Sequence, residues 1–364
     1  MTICFLNHDL KSSTGAGRFG RNLIGRIEAT NSHPRVIVLT TSGSGDPREF
    51  PILFKNWFWL LLALPRIRRI FRDADIIHAL DGYPYGVLAV LASLGLGKKI
   101  IITAIGTGAI QPLSDWRRPL MRWAYRKAHQ VVAISNYTKR EIMKYIPDLS
   151  IMVVNHAVDV LDFDRPTSSD MEDKIAPLKP YILSVGGWKR RKGFEYSFAA
   201  FAEILKQHPG LHYVVCGIGP KPKLEDEFGL HNRVSYFKGI PWPFLVSLYH
   251  NAELFILLPV DDNKDVEGFG FAFLEAAASG LPVVGTLESG AEDSVSPGEN
   301  GFLVAPRDPH AAAEAALTIL DDASLRSRFR EGSFAFAKRM NWENVIEHYR
   351  KIYRELLGDD LRIP

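Results

Sequence analysis

Short apolar runs rich in β-branched residues alternate with longer segments whose apolar positions recur at helical spacing, and glycine or polar clusters separate the two kinds. In the first half the runs are ICFL, VIVLT, DIIHAL, KIIITAI and QVVAIS, with helix-patterned stretches at 19–29 and 87–94 between them. That rhythm predicts a parallel sheet with crossover helices. A second series opens at YILSV and continues through a helix at 194–205, HYVVCG, RVSYFKG, LFILLP, a helix at 271–279 and PVVGT. Two more helices are predicted at 308–321 and 341–357, and no strand follows the last. Between the series lies DFDRPTSSDMEDKIAPLKP, whose proline, serine and acidic residues suit an exposed connector hinged at 166–180. The expected fold class is α/β with two Rossmann-like domains. The expected divisions are 1–165, a linker at 166–180, 181–340, and a C-terminal helix at 341–364. Ligands of open parallel sheets collect outside the strands' carboxyl ends, so two facing sheets would make a central cleft lined by strand-to-helix loops.

Composition narrows the class. A chain of 364 residues exceeds a comfortable single core, and 46% hydrophobic with 23% charged residues is ordinary globular composition. The longest unbroken apolar run, 57–64, is eight residues, far below the roughly 20 of a spanning helix. The opening MTICFL carries no basic leader or cleavage site, so a cytoplasmic location is expected. Cys4 and Cys216 each sit in an apolar run, which predicts two buried thiols and no cysteine-based metal site. The net charge of +3 conceals an asymmetry: 22 basic against 14 acidic residues through Asp170, or +8, and 22 against 27 after it, or −5. A basic front half suits an acidic partner such as an anionic membrane surface or a phosphorylated acceptor, and scattered surface charge explains it equally well.

GAGRFG, from Gly15 to Gly20, satisfies G-x-G-x-x-G, yet a dinucleotide site is rejected. Such a fingerprint sets its first glycine at the strand end, whereas NHDLKSST intervenes here. The second strand also lacks the acid that grips a ribose, since VIVLTT ends in Thr40 and Thr41. What survives is a glycine loop ahead of a helix, with Gly15 and Gly17 open to a phosphate. A ligand-free solvent loop fits as well.

EGFGFAFLE, from Glu267 to Glu275, holds the chemistry. Gly268 and Gly270 make a sharp entry into a helix that Gly280 and Pro282 end, so free N–H groups point from its first turn toward an anion. The two carboxylates, eight residues apart, are placed to reach opposite ends of an elongated ligand. Glycosyl transfer from a nucleotide sugar needs hydroxyls held by carboxylates and charge neutralised on the departing diphosphate. Cations for that task stand in GGWKRRKG, 186–193, where Lys189, Arg190, Arg191 and Lys192 crowd between a strand and a helix. Alone, such a run reads as a solvated turn; at a strand's carboxyl end it reads as an anion site. Gly217 and Gly219 of CGIGP form another phosphate-compatible turn, for which a plain tight turn is the equal alternative. Asp261 and Asp262 are adjacent and should diverge, so no metal is expected.

These residues resemble glycosyltransferase family 4, the retaining group with the GT-B fold. The likeness is most specific from Tyr181 to Val304 and extends weakly from Ile3 to about Tyr353. It implies that the C-terminal helix crosses back to the first domain, that Glu267 contacts donor sugar hydroxyls, and that Glu275 contacts the ribose. The backbone of Phe269, Gly270 and Phe271 would face sugar and phosphate. ENGFLV from Glu299 matches the family's closing element. GAGRFG resembles its diphosphate-touching loop, and SYFKGI, with Gly239 and Ile240, its nucleobase loop. Two departures stand out: Gly187 occupies the place of a common arginine, leaving Arg191 and Lys192 to supply charge, and Ile105 replaces the histidine of T-x-H-G, so the acceptor-side contact is unassigned. His8, His78 and His156 are candidates, though structural histidines are commoner.

The resemblance implies a hexosyltransferase that uses a GDP- or UDP-linked sugar, needs no cofactor or metal, and serves a glycan or lipid-linked acceptor in cell-envelope polysaccharide or glycolipid synthesis. A nucleic-acid partner is not expected. An epimerase of the same fold and a non-catalytic nucleotide-sugar-binding subunit are the rivals. FKNWFWLLLALPRIRRIFR, 54–72, sets aromatic and leucine residues ahead of a basic helix. It suits anionic lipid and peripheral attachment to the inner face of a membrane. Packing on its own sheet with arginines outward is the preferred alternative. WRRPLMRWAYRK, from Trp116, adds weight to a lipid-linked acceptor.

Overall fold

The computed structural model describes residues 1–11, 14–30, 33–54, 56–164, 168–219 and 223–358. It divides into two compact units, one of residues 1–156 and 343–364 and the other of residues 157–342.

The first unit holds strands β1 (Thr2–Leu6), β2 (Arg35–Thr40), β3 (Glu49–Pro51), β4 (Ile76–Leu80), β5 (Lys99–Ala104), β6 (Gln130–Ala133) and β7 (Ile151–Val153). They form one sheet in the order β3-β2-β1-β4-β5-β6-β7, every pair parallel. Helices α1 (Gly15–Glu28), α2 (Trp57–Arg72), α3 (Val87–Ser93), α4 (Thr107–Ser114), α5 (Arg118–Lys127) and α6 (Asn136–Met143) cross between them. The Ile, Val and Leu runs read from the sequence are these strands, and β4 is buried along its whole length because helices cover both faces of a parallel sheet.

The second unit repeats the plan. Helices α7 (Ser169–Ile175), α8 (Phe194–Ile204), α9 (Leu224–Glu227), α10 (Trp242–Asn251), α11 (Phe271–Ala278), α12 (Pro309–Asp321) and α13 (Ala323–Arg339) accompany strands β8 (Tyr181–Val185), β9 (His212–Gly217), β10 (Val234–Lys238), β11 (Leu254–Ile256), β12 (Val283–Thr286) and β13 (Gly301–Val304). The parallel order is β10-β9-β8-β11-β12-β13. In each sheet the chain runs outward from its first strand, then returns to the other side, so the order reverses between β1 and β4 and between β8 and β11. A crevice opens at the carboxyl ends of such a pair.

The last helix, α14 (Trp342–Leu357), belongs to the first unit from Glu343 onward. Its Tyr349 and Tyr353 are buried against the first sheet. Tyr353 Oη lies 2.9 Å from His78 Nδ1, His78 Nε2 lies 2.8 Å from Thr103 Oγ1, and Thr103 Oγ1 lies 3.0 Å from Tyr349 Oη. Burial pushes the His78 imidazole down to about 3, so the ring is neutral and holds the helix rather than carrying charge.

Three features differ from the sequence reading. The stretch expected to be an open connector contains α7, with Ile175 buried, while residues 165–167 within it lie outside the described residues. Helix α13 was not anticipated; Gly332 stands mid-helix because a side chain there would overlap the Glu299 carbonyl. GAGRFG is not a loop ahead of a helix but the opening turns of α1, capped by the Thr14 side chain, which accepts from the Gly17 N–H at 3.0 Å. The two thiols are buried and free, and burial pushes Cys216 up to about 12.

Candidate active site

At the β8–β11 reversal two loops meet. The turn after β8 ends at Gly193, which has a φ of 63° and lies so close to the Leu258 carbonyl that any β-carbon would overlap it. Glycine alone lets this turn reach the segment after β11. The Val260 N–H then donates to the Arg191 carbonyl at 2.9 Å, tying the loops together. A short 3-10 turn at Arg190–Lys192 sorts the cationic run, leaving Lys189 and Arg190 exposed and turning Arg191 and Lys192 inward.

The inward pair converges on Glu267. Arg191 Nη1 lies 2.7 Å and Lys192 Nζ 2.6 Å from the same Glu267 Oε2, and Arg191 Nε lies 3.0 Å from Asp265 Oδ1. Burial alone would raise the Glu267 carboxyl; the charges of Lys192 and Arg191 overcome it and hold the group at about 2. A carboxylate this buried persists because its two cations repay its lost hydration. The position is fixed from behind as well, since the Gly290 N–H donates to the Glu267 carbonyl at 2.8 Å.

Beyond Glu267 the chain turns through Gly270, at a φ of 90°, into α11. Phe269 is buried, and its carbonyl accepts from Ser294 Oγ at 3.0 Å, so the entry to α11 is held rigidly. Glu275 sits in the second turn of α11, buried, with Tyr249 Oη donating to its Oε2 at 2.9 Å. The first turn of α11 thus begins only four residues after a carboxylate that already holds two cations. Ionised acid, paired cations and oriented N–H donors at one strand-order reversal can receive a polyhydroxylated, phosphorylated ligand.

Two family descriptions fit this chain in succession. "Glycosyltransferase Family 4" matches residues 13–161 and "Glycosyl transferases group 1" matches residues 169–336, so the two run through both units. The chain belongs to glycosyltransferase family 4. Its relatives include the D-inositol 3-phosphate glycosyltransferase of Corynebacterium urealyticum, 31% identical over 57% of this chain and 51% of that protein. This chain therefore spans about half the length of that relative. The glycogen synthase of Mycobacterium tuberculosis is 26% identical over 87% of this chain and 80% of its own length. Among solved structures, the Rickettsia africae glycosyltransferase aligns with a TM-score of 0.80 at 18% identity, covering 98% of this chain and 99% of that one. Anabaena Alr3699/HepE in complex with UDP-glucose aligns with a TM-score of 0.78 at 17% identity, covering 97% and 99%. These likenesses establish the GT-B fold for the chain.

The remaining sequence candidates of this family 4 member fall into place unevenly. Gly217 and Gly219 end β9, where Trp188 packs over them; a β-carbon at Gly217 would lie 2.8 Å from the indole, and Gly219 has a φ of 124°. Packing explains both glycines. Gly239, at a φ of 64°, and Ile240 follow edge strand β10, two strands away from β8. Gly17 is accounted for without a ligand: its N–H is bound to Thr14, and a β-carbon would strike Lys11 and Asp9. Asp9 Oδ1 also accepts from the Lys11 N–H at 2.8 Å and from Thr14 Oγ1 at 3.0 Å, setting a carboxylate at the start of α1 where an anion was expected. Gly15 has open space around its α-carbon among the described residues. Asp261 pairs with Lys264 at 2.6 Å while Asp262 faces Arg190 at 3.9 Å, and among the described residues no group of three or more metal-binding side chains converges.

Sequence reasoning missed Trp188, Tyr249, Asp265 and Asp81. The first three lie far in sequence from the groups they touch, and only the folded chain joins them. Asp81 left a signal, an acid directly after β4 at the other strand-order reversal. Its Oδ1 accepts the Gly82 N–H at 2.7 Å, and burial outweighs the Gly82 and Ile105 N–H groups to push the carboxyl up to about 7. Nearby, His8 Nδ1 lies 3.0 Å from Tyr85 Oη, whereas His78 is committed to anchoring α14.

Proposed function

We propose that this chain is a retaining glycosyltransferase that moves a hexosyl group from a GDP- or UDP-linked sugar to a glycan or lipid-linked acceptor in cell-envelope polysaccharide or glycolipid synthesis. The observation that carries the reading is the Glu267 carboxylate held by Arg191 and Lys192 beside the entry to α11. In this reading the sugar hydroxyls take up Glu267, and the diphosphate draws on the two cations and on the backbone N–H groups of Phe269, Gly270 and Phe271. Glu275 binds the ribose, and Gly239 with Ile240 lies along the base. The bond from the anomeric carbon to the phosphate oxygen breaks, and a bond to the acceptor oxygen forms on the same face. The acceptor's proton passes to the leaving phosphate oxygen. No enzyme nucleophile and no metal enter the scheme, because fixed cations and helix N–H groups stabilise the developing charge. Attachment to the inner face of a membrane completes the reading for a lipid-linked acceptor. UDP-glucose, held by the Anabaena relative, is the first donor to test.

A thermal-shift panel of UDP- and GDP-linked hexoses tests it. A fitting donor at 100 times its Kd stabilises the fold by about 2.7 kcal/mol, and Glu267→Gln should remove most of the shift. A panel in which no sugar nucleotide raises the Tm defeats the reading.

A further inference from the structure

The two basic and aromatic stretches noted in the sequence meet in one unit. Helix α2 buries only Leu60, Ile67 and Phe71. Its opposite face is apolar over the first turns, where Phe58 is 63% exposed, Trp59 54%, Leu61 51% and Leu62 59%. Further along the same outward face stand Arg66, Arg69 and Arg72, also exposed. The packed-helix reading therefore accounts for the inner stripe and leaves four large apolar side chains in water. The start of α5 is brought to the start of α2 by Tyr83: the Trp57 and Tyr83 rings are 5.9 Å apart, Trp57 Nε1 donates to Tyr83 Oη, and the Arg117 guanidinium lies 4.7 Å from the Tyr83 ring centre. Trp116, 82% exposed, stands beside that junction. Along α5 an open groove is lined by Arg118, Pro119, Arg122, Trp123, Arg126 and Lys127. Arg126 pairs with Asp148 at 2.8 Å, and Arg117 is bound by Asp115.

We propose that the outward face of α2, together with Trp116 and the cationic groove of α5, docks on an anionic lipid bilayer. Neither helix contains an acidic residue, and the nearby Asp115 and Asp148 are each paired with an arginine, so the surface offers apolar side chains with an excess of positive charge. A bilayer supplies both complements at once, an acyl boundary for Phe58, Trp59, Leu61 and Leu62 and phosphates for the arginines. The helix lies in the interface and does not cross it; among the described residues no helix is long and apolar enough to span a membrane. The inference deepens the acceptor side of the proposed function and rests on it only for where the acceptor resides.

The full chain is centrifuged, without sugar nucleotide, with phosphatidylcholine vesicles and with vesicles carrying about 30% phosphatidylglycerol. Binding to the anionic vesicles alone, weakened by salt, is expected. Combined Phe58→Ser, Trp59→Ser, Leu61→Ser and Leu62→Ser should weaken it at least tenfold while the donor-induced thermal shift persists, since each of these residues is more than half exposed. Arg66→Glu with Arg69→Glu is the second variant, and gives the same loss. No vesicle binding by the wild type, equal binding to neutral vesicles, or unchanged binding in both variants overturns the proposal. So does a dimer in plain buffer that the serine variant dissolves, which would make the patch a contact between copies. Glu267→Gln leaves vesicle binding intact, so failure of the donor reading and failure of this one are separable.

Discussion

The two sheets reverse strand order at equivalent places, yet they treat the carboxyl beyond the fourth strand in opposite ways. In the second unit Glu267 follows β11 and receives Arg191 and Lys192, which keep it ionised well into acid. In the first unit Asp81 follows β4 and, among the described residues, receives only backbone N–H groups, so burial prevails and holds its carboxyl up at about 7. The same topology thus sets a permanent charge in one crevice and a switchable one in the other. Strand order decides where the carboxyls stand; neighbouring cations decide what they are.

The harshest way to break this contrast is to neutralise the permanent charge. Glu267→Gln keeps the shape and removes the acceptor of two cations. Transfer, followed as nucleotide release, should fall about a thousandfold, the loss of one strong transition-state contact together with the disordering of Arg191 and Lys192. A rate near that of the wild type would strike Glu267 from the site.

Stability against pH sharpens the contrast because the two signs differ. Glu267 is depressed from 4.5 to about 2, so its contribution is complete above 4.5 and is lost as pH falls toward 2. Asp81 is raised from 3.8 to about 7, so the folded state is favoured at low pH and loses stability as pH climbs through 7. Between pH 4 and 8 the Asp81 effect is on the order of 2–4 kcal/mol. Urea titrations across that range should show a falling limb that Asp81→Asn flattens, whatever the variant's stability at a single pH. A limb unchanged in the variant would assign it to another group.

How much of this was legible beforehand follows from distance along the chain. The strands and the EGFGFAFLE helix entry are local patterns, and a linear reading finds them. The division of KRRK into two outward and two inward cations depends on Gly193 touching Leu258, a contact between segments 65 residues apart, and no local pattern records it. The same holds for Tyr249 on Glu275. Helix α2 misled in another way: its apolar residues cover more of the helix surface than one buried stripe, and sequence alone does not say which of them stay in water.

Glycines test the division between fold and ligand at lower cost. Among the described residues Gly15 has no atom near its missing β-carbon, and it opens a helix, so Gly15→Ala should leave stability unchanged or raise it by up to about 1 kcal/mol. If a diphosphate approaches there, donor affinity drops even so, as titration with a fitting sugar nucleotide would reveal. Unchanged affinity would remove the first-unit glycines from the donor site, because Gly17 is already explained by Asp9, Lys11 and Thr14.

The helix that returns to the first sheet gives a modest effect that no ligand enters. Tyr353→Phe removes one hydroxyl from the His78–Thr103–Tyr349 network and keeps the ring, leaving His78 Nδ1 buried without that partner. A loss of about 1–2 kcal/mol is expected, close to the cost of one unsatisfied buried polar atom. Because His78 is held neutral by burial, the penalty should be flat from pH 7 upward and should not follow the Asp81 limb. A penalty that instead varied between pH 7 and 9 would mean that His78 senses the first crevice, and α14 would then be part of the switchable side of the comparison rather than its scaffold.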